Sequence, residues 1–368
     1  MAVSFASAAG PWVPSRCLRP RSVPALCPVC VDDQAVFLPF LTPAARAAAI
    51  SVLRVLALPL LALLAVAPAT AQEFVLQPRQ VGPHSWAVFG EAGMATAANR
   101  GFNSNAGFVV TPAGVVVFDT LGTPALGEAL IAAIRRVTPQ PIRRVIVSHY
   151  HADHYYGAQA FRAIGAEIWA HEAGRGVVGS DDAKARLEQR RQDLFPWVDE
   201  KTQPVDADRW LAFGERGTID FELGGMSFRL LDVSGAHSPQ DLMMFVESDG
   251  VLFAGDLYFT GRIPFVVGAN TKRWLQAMDR IAEVKPRVAV PGHGEASDRV
   301  MPDLTLTRDY LRYLRETMGR AAEAMDDFEA AYDRVDWSRW EKLPAFLPGN
   351  RLNARSVYLE MERESLRR

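Results

Sequence analysis

The strand-like run Arg144-Val145-Ile146-Val147 breaks off into Ser148-His149-Tyr150-His151-Ala152-Asp153-His154. Four metal-competent side chains thus lie within six residues, directly after a strand. Alternate side chains of an extended chain share a face, so His149 and His151 can reach one ion. Asp153 and His154 fall at the turn into a helix and can face a second. Imidazole and carboxylate are ligands that borderline divalent metals such as zinc prefer. A fold that uses them must bring a strand end and a helix start to one point.

The remaining histidines sharpen this reading. The chain has seven, and five fall in three short segments. Three are His149, His151 and His154. The others are His237, in Gly235-Ala236-His237-Ser238-Pro239, and His293, in Pro291-Gly292-His293-Gly294. His84 and His171 read as ordinary surface or packing residues. Asp256 ends the apolar run Val251-Leu252-Phe253-Ala254-Gly255-Asp256. That places a carboxylate at the C-terminal edge of a strand, where α/β folds put their sites. Its two oxygens can bridge two cations.

In this order, His-x-His-x-Asp-His, a distant His, Gly-Asp and Gly-His-Gly resemble the metallo-β-lactamase-fold hydrolase superfamily over about residues 85–297. The resemblance implies an α/β fold, a four-layer αβ/βα sandwich with two metals at one edge, here followed by a C-terminal helical extension. Carried over, His149, His151 and His237 would bind the first metal. Asp153, His154 and His293 would bind the second, with Asp256 bridging. Asp119, ending Val115-Val116-Val117-Phe118-Asp119, matches the family's first motif and would orient a ligand histidine. The cofactor implied is a pair of Zn2+ ions, with iron as the alternative. The family's nuclease branches insert a further large domain, for which the stretch between Asp256 and His293 leaves no room.

Composition bounds the rest. Formal net charge is −2, and no basic patch stands out, so nucleic acid is not the expected partner. A small-molecule substrate is. Val55 to Ala67 is an unbroken apolar run of 13 residues, preceded by Arg46 and Arg54 and followed by Ala69-Thr70-Ala71. This is the pattern of a secretory signal with cleavage after Ala71. It is too short for a membrane span of about 20 residues, so no stable membrane insertion is expected after cleavage, and the protein is expected in the periplasm or outside the cell. Cys17, Cys27 and Cys30 all precede that point, leaving a mature chain without disulfides or a catalytic thiol. Three regions are expected: an N-terminal extension and signal over 1–71, a catalytic domain over 72–300, and a helical extension packed on it over 301–368.

Within the catalytic domain, Phe108 to Phe118 reads as a hairpin around Pro112-Ala113-Gly114. Pro124 to Val137 has helical spacing, and residues 181–194 read as a polar, exposed helix. Met243 to Asp256 reads as a second hairpin echoing the first, consistent with an internally duplicated unit. After residue 300, Leu311, Leu314, Met318, Ala321, Met325 and Phe328 recur at helical spacing, a stripe expected to cover the main domain. The long tail, the export signal and the Gly255–Pro264 segment resemble the periplasmic quinoprotein-relay or SoxH-type branch.

Two metals sharing a water can lower its pKa towards neutrality. The expected reaction is hydrolysis of an ester, thioester, lactone or β-lactam-type bond, with Asp153 orienting the nucleophile and shuttling its proton. Asn105, Tyr150, Tyr258 and Arg262 are the candidate substrate-pocket residues. Two other readings accommodate the same ligands: a mononuclear iron persulfide dioxygenase, and a non-catalytic metal-binding accessory protein of a periplasmic redox system.

Overall fold

The structure is a computed structural model that describes residues 74–367. The proposed signal segment lies outside the described residues. Among the described residues, no helix is long and apolar enough to cross a membrane.

The alternating apolar runs form two sheets. The first has seven strands in sequential order: β1 (Arg79–Gln80), β2 (Ser85–Val88), β3 (Ala106–Thr111), β4 (Gly114–Phe118), β5 (Ile142–Ile146), β6 (Glu167–His171) and β7 (Arg209–Leu211). The second has five: β8 (Thr218–Leu223), β9 (Met226–Asp232), β10 (Leu242–Val246), β11 (Val251–Phe259) and β12 (Val288–His293). In each sheet an antiparallel hairpin is followed by a parallel partner: β3 and β4 pair antiparallel and β5 joins β4 in parallel. Likewise β10 and β11 pair antiparallel and β12 joins β11 in parallel. The echo between the two hairpins is thus a shared topology.

Parallel pairing needs a crossover. In the first sheet it is helix α1 (Pro124–Val137), started by Thr123, whose hydroxyl caps the Leu126 amide, with Pro124 in the first turn. Leu126, Leu130 and Ile134 are buried on one face, at the helical spacing of the sequence. The helix expected after the His-rich run is two short pieces, α2 (Ala152–Tyr155) and α3 (Ala158–Ala163). They break at Gly157, where a Cβ would lie 1.9 Å from the Thr120 carbonyl oxygen. Leu194 is the one fully buried residue of helix α4 (Asp181–Leu194), whose sequence reads as polar. In the second half, α5 (Thr271–Ala277) and α6 (Asp279–Val284) bridge to β12. Then follow α7 (Val300–Glu323), α8 (Phe328–Asp333) and α9 (Phe346–Ser365).

Three apolar clusters define four layers. One lies between the sheets and joins Val109, Val116, Ile146 and Trp169 to Phe228, Leu242, Met244 and Phe253. A second joins the first sheet to α1 and α3 through Val117, Leu130, Ile134 and Phe161. The third joins the second sheet to α5 and to α7–α9 through Leu252, Trp274, Leu311, Leu314 and Val357. Of the stripe read from the sequence, Leu311, Leu314, Met318 and Ala321 are buried in this third layer, while Met325 is exposed. It sits beyond the end of α7 with φ of 56°. Each fully buried Leu or Phe contributes roughly 1.5–3 kcal/mol. The fit is close enough that Gly107 of β3 admits no side chain: a Cβ there would lie 2.0 Å from the Phe253 ring.

Candidate metal centre

The C-terminal ends of β4, β5, β9, β11 and β12 converge on one edge. Asp119 follows β4, the His149–His154 run follows β5, and His237 lies in the loop between β9 and β10. His293 closes β12. Asp256 does not end its strand, as the sequence suggested. It lies inside β11, after a register shift at Gly255, whose φ is 52°. The irregularity allows a strand residue to face the site. His149 and His151 lie past the end of β5, yet the chain stays extended enough to bring their rings to 4.6 Å.

Two donor groups result. His149, His151, His237 and Asp256 form one, and Asp153, His154 and His293 form the other. His237 Nε2 lies 2.9 Å from His151 Nδ1 and 3.3 Å from Asp256 Oδ2. His149 Nε2 lies 3.9 Å from the same oxygen. The other oxygen of Asp256, Oδ1, is 3.1 Å from His154 Nε2 and 3.4 Å from His293 Nε2. Asp153 Oδ2 stands 3.5 Å from His293 Nε2. Asp256 therefore offers one oxygen to each group.

Several donor atoms are buried without a hydrogen-bond partner among the described residues: His149 Nε2, His154 Nε2 and Asp256 Oδ1. Buried polar atoms are rarely left so. Their convergence fits a pair of cations with borderline preferences. Other hydrogen bonds fix how the rings are turned. His154 Nδ1 donates to Asp119 Oδ2 at 2.9 Å. His149 Nδ1 donates to Ser148 Oγ, which donates on to Asp119 Oδ2. Asp119 Oδ1 accepts from the Ser148 amide at 2.7 Å. One carboxylate thus turns a histidine of each group so that Nε2 points inward. It is held at φ of 61°, uncommon for a residue with a Cβ. His293 Nδ1 donates to the Asn103 carbonyl.

Charge follows burial. Desolvation lowers His149, His151 and His237, the last to about 4, so all three stay neutral and able to bind a metal. Burial would also lower His154, but the Asp256 and Asp153 carboxylates hold it well above 6.5. Desolvation opposes ionisation of Asp256, yet the surrounding histidines keep its carboxyl low. Without a cation, a proton on His154 answers the carboxylates.

The cleft over these ligands is lined by His151, Asp153, Asp256, His293, Asn103, Met94, Phe265 and three arginines, Arg186, Arg190 and Arg262. Arg262, a pocket candidate from the sequence, is among these lining residues. It is 2% exposed and pinned to the Gly93 and Ile263 carbonyls. The other three pocket candidates are corrected. Tyr150 points away from its histidine neighbours and packs on Tyr155 and against Gly174. Tyr258 is fully buried in the third core cluster. Asn105 is a clamp: its Nδ2 donates to the Pro291 and Gly294 carbonyls, fixing the loop that presents His293. Asn103, two residues earlier, is the one that reaches the cleft, with Nδ2 3.3 Å from Asp153 Oδ2.

Sequence reading missed Arg186 and Arg190, because a helix with almost no apolar face reads as solvated. It also missed Asp241, which accepts hydrogen bonds from the Ser238 amide and hydroxyl and so closes the loop carrying His237. Burial pushes the Asp241 carboxyl up to about 8. His84 and His171 keep structural roles. His84 binds Asp249 through its ring and its amide, and His171 caps the short turn at Ala173.

Residues 99–293 match the sequence model of the metallo-beta-lactamase superfamily. A linear primary-alkylsulfatase from a Pseudomonas species is 21% identical over 249 residues, 56% of this chain and 45% of that protein. An inverting sec-alkylsulfatase from Pseudomonas superposes with a TM-score of 0.56 at 20% identity, covering 77% of this chain and 50% of its own. A metallo-beta-lactamase from Pontibacter korlensis superposes with a TM-score of 0.50 at 20% identity, covering 64% of this chain and 99% of its own. The chain spans about half the length of the alkylsulfatases it matches. The family match covers every metal-ligand candidate, from His149 to His293, and the chain belongs to the metallo-beta-lactamase superfamily.

Proposed function

We propose that the protein is an exported dinuclear zinc hydrolase acting on a small ester-type substrate. The observation that carries the proposal is the paired donor set, in which Asp256 turns one oxygen to each group of histidines. Ester, thioester, lactone and β-lactam bonds remain the reaction class. The alkylsulfatase relative adds sulfate esters to it. Export rests on the apolar run Val55–Ala67 and the small-residue site ending at Ala71.

When bound, the metal pair supplies an acidified water and polarises the scissile group. The chain does the rest. Asp153 lines the cleft, steadied by Asn103 Nδ2, which supports a role for it in accepting and passing on a proton. His293 is held by the Asn103 carbonyl and stacked on Phe259, so its ring cannot turn out of position. Arg262 brings positive charge to the cleft wall, its guanidinium nitrogen 3.3 Å from His293 Nδ1.

Elemental analysis of the purified protein is the first test, followed by a panel of alkyl sulfates, lactones, thioesters and β-lactams. About two zinc ions per chain and turnover of one of these classes would support the proposal. A single iron, with oxygen uptake on a persulfide, would replace it with the dioxygenase reading. Metal bound tightly without any turnover would favour the accessory-protein reading.

A further inference from the structure

Helix α4 carries four basic side chains, and they divide into two kinds. Lys184 pairs with Asp181 at 3.1 Å. Arg191 pairs with Glu188 and Glu200, both at 3.4 Å, and donates to the Asp199 carbonyl. Arg186 and Arg190 have no hydrogen-bonded or ion-paired partner among the described residues, and these are the two that line the cleft. At i and i+4 they share one helix face. The charge of Arg186 reaches His151, and that of Arg190 reaches Asp153. Arg262 adds a third guanidinium to the lining. The carboxylates that could balance them, Asp153 and Asp256, belong to the donor groups already described. Three guanidinium groups around a site built for cations leave the cleft short of negative charge. Arginine forks match planar or tetrahedral oxyanions well.

We infer that Arg186 and Arg190 form an anion-holding rim, and that the substrate carries an oxyanion, a carboxylate or sulfate-type group, which they bind. This inference rests on the hydrolase reading and narrows its substrate class. The pair is a specificity device: it selects charged over neutral esters of the same size.

Calorimetric titration of the metal-loaded protein tests it without turnover. The probes are hexyl sulfonate (a non-hydrolysable stand-in for a sulfate ester), hexanoate and neutral hexanamide. At least one anion should bind, with an affinity that falls as salt rises, and hexanamide should bind more weakly. The double variant Arg186→Gln/Arg190→Gln should weaken anion binding roughly tenfold or more. Lys184→Gln removes one positive charge from the outer face of α4, against two in the double variant, and should bind like the wild type. Preference for sulfonate points to sulfate esters, and preference for hexanoate to carboxylated ones. Equal anion binding by the double variant and the wild type would overturn the inference, as would a preference for hexanamide. Elemental analysis of the same samples separates the two readings. Protein that holds no metal overturns the hydrolase proposal. Metal-loaded protein whose anion binding ignores the two arginines overturns only their assignment.

Discussion

Asp119 illustrates how one side chain can govern a whole site. It touches neither Asp256 nor the cleft, yet its two oxygens fix His154 directly and His149 through Ser148. Asp119→Asn would keep the volume and lose the charge that holds both rings. Metal affinity should fall about 10–100-fold with the fold retained, as read by chelator competition and circular dichroism. His151→Ala removes a donor outright. It should abolish turnover and lower metal content while leaving the melting profile of the metal-free protein nearly unchanged. Protons compete with metal at the same atoms. With His237 lowered to about 4, its ring is neutral above that pH and protonated below it. Bound metal should therefore persist at pH 6 and be released as pH falls through about 4, followed by elemental analysis of dialysed protein. Retention at pH 3 would show that protonation of His237 does not govern release.

The site is carried by loops, but elements far along the chain hold those loops in place. Asn353 of α9 donates to the Pro264 carbonyl and accepts from the Val266 amide, bracing the segment that carries Arg262 and Phe265. Glu360 of the same helix accepts from the Thr271 amide at the start of α5, and the Asn270 amide in turn donates to the Ala236 carbonyl beside His237. Asn353→Leu should cost about 1–3 kcal/mol by leaving two buried backbone groups unpaired. It should raise KM more than it lowers kcat, since the wall moves and the ligands do not. Denaturant titration and steady-state kinetics would separate these effects. The two donor groups were legible because a short, dense motif needs no tertiary knowledge. Helix α1 and the two hairpins were legible from apolar period and turn residues. The clamp made by Asn105, the burial of Tyr150 and Tyr258, and the rim role of Arg186 were not. Each depends on which way a side chain turns once distant segments meet, and no local period records that. The break at Gly157 and the shift at Gly255 were hidden for the same reason: each lies where a distant segment comes close, Thr120 at Gly157 and Ser148 at Gly255.

At the scale of the molecule, each donor group draws on both halves of the sandwich. His149 and His151 follow the first sheet while His237 and Asp256 belong to the second, and His154 and His293 divide the same way. A bound ion therefore ties the sheets together. Removing metal should lower the melting temperature, and restoring it at 1,000 times its Kd should return about 4 kcal/mol. An unchanged melting curve after chelation would mean that the ions add nothing to the join. The candidate ligands run from His149 to His293, so no segment that ends before His293 holds the complete set. The complete donor set is therefore assembled only when both sheets have come together. Metal supply where folding finishes, together with the ligand types and their geometry, would then decide which ion fills the site.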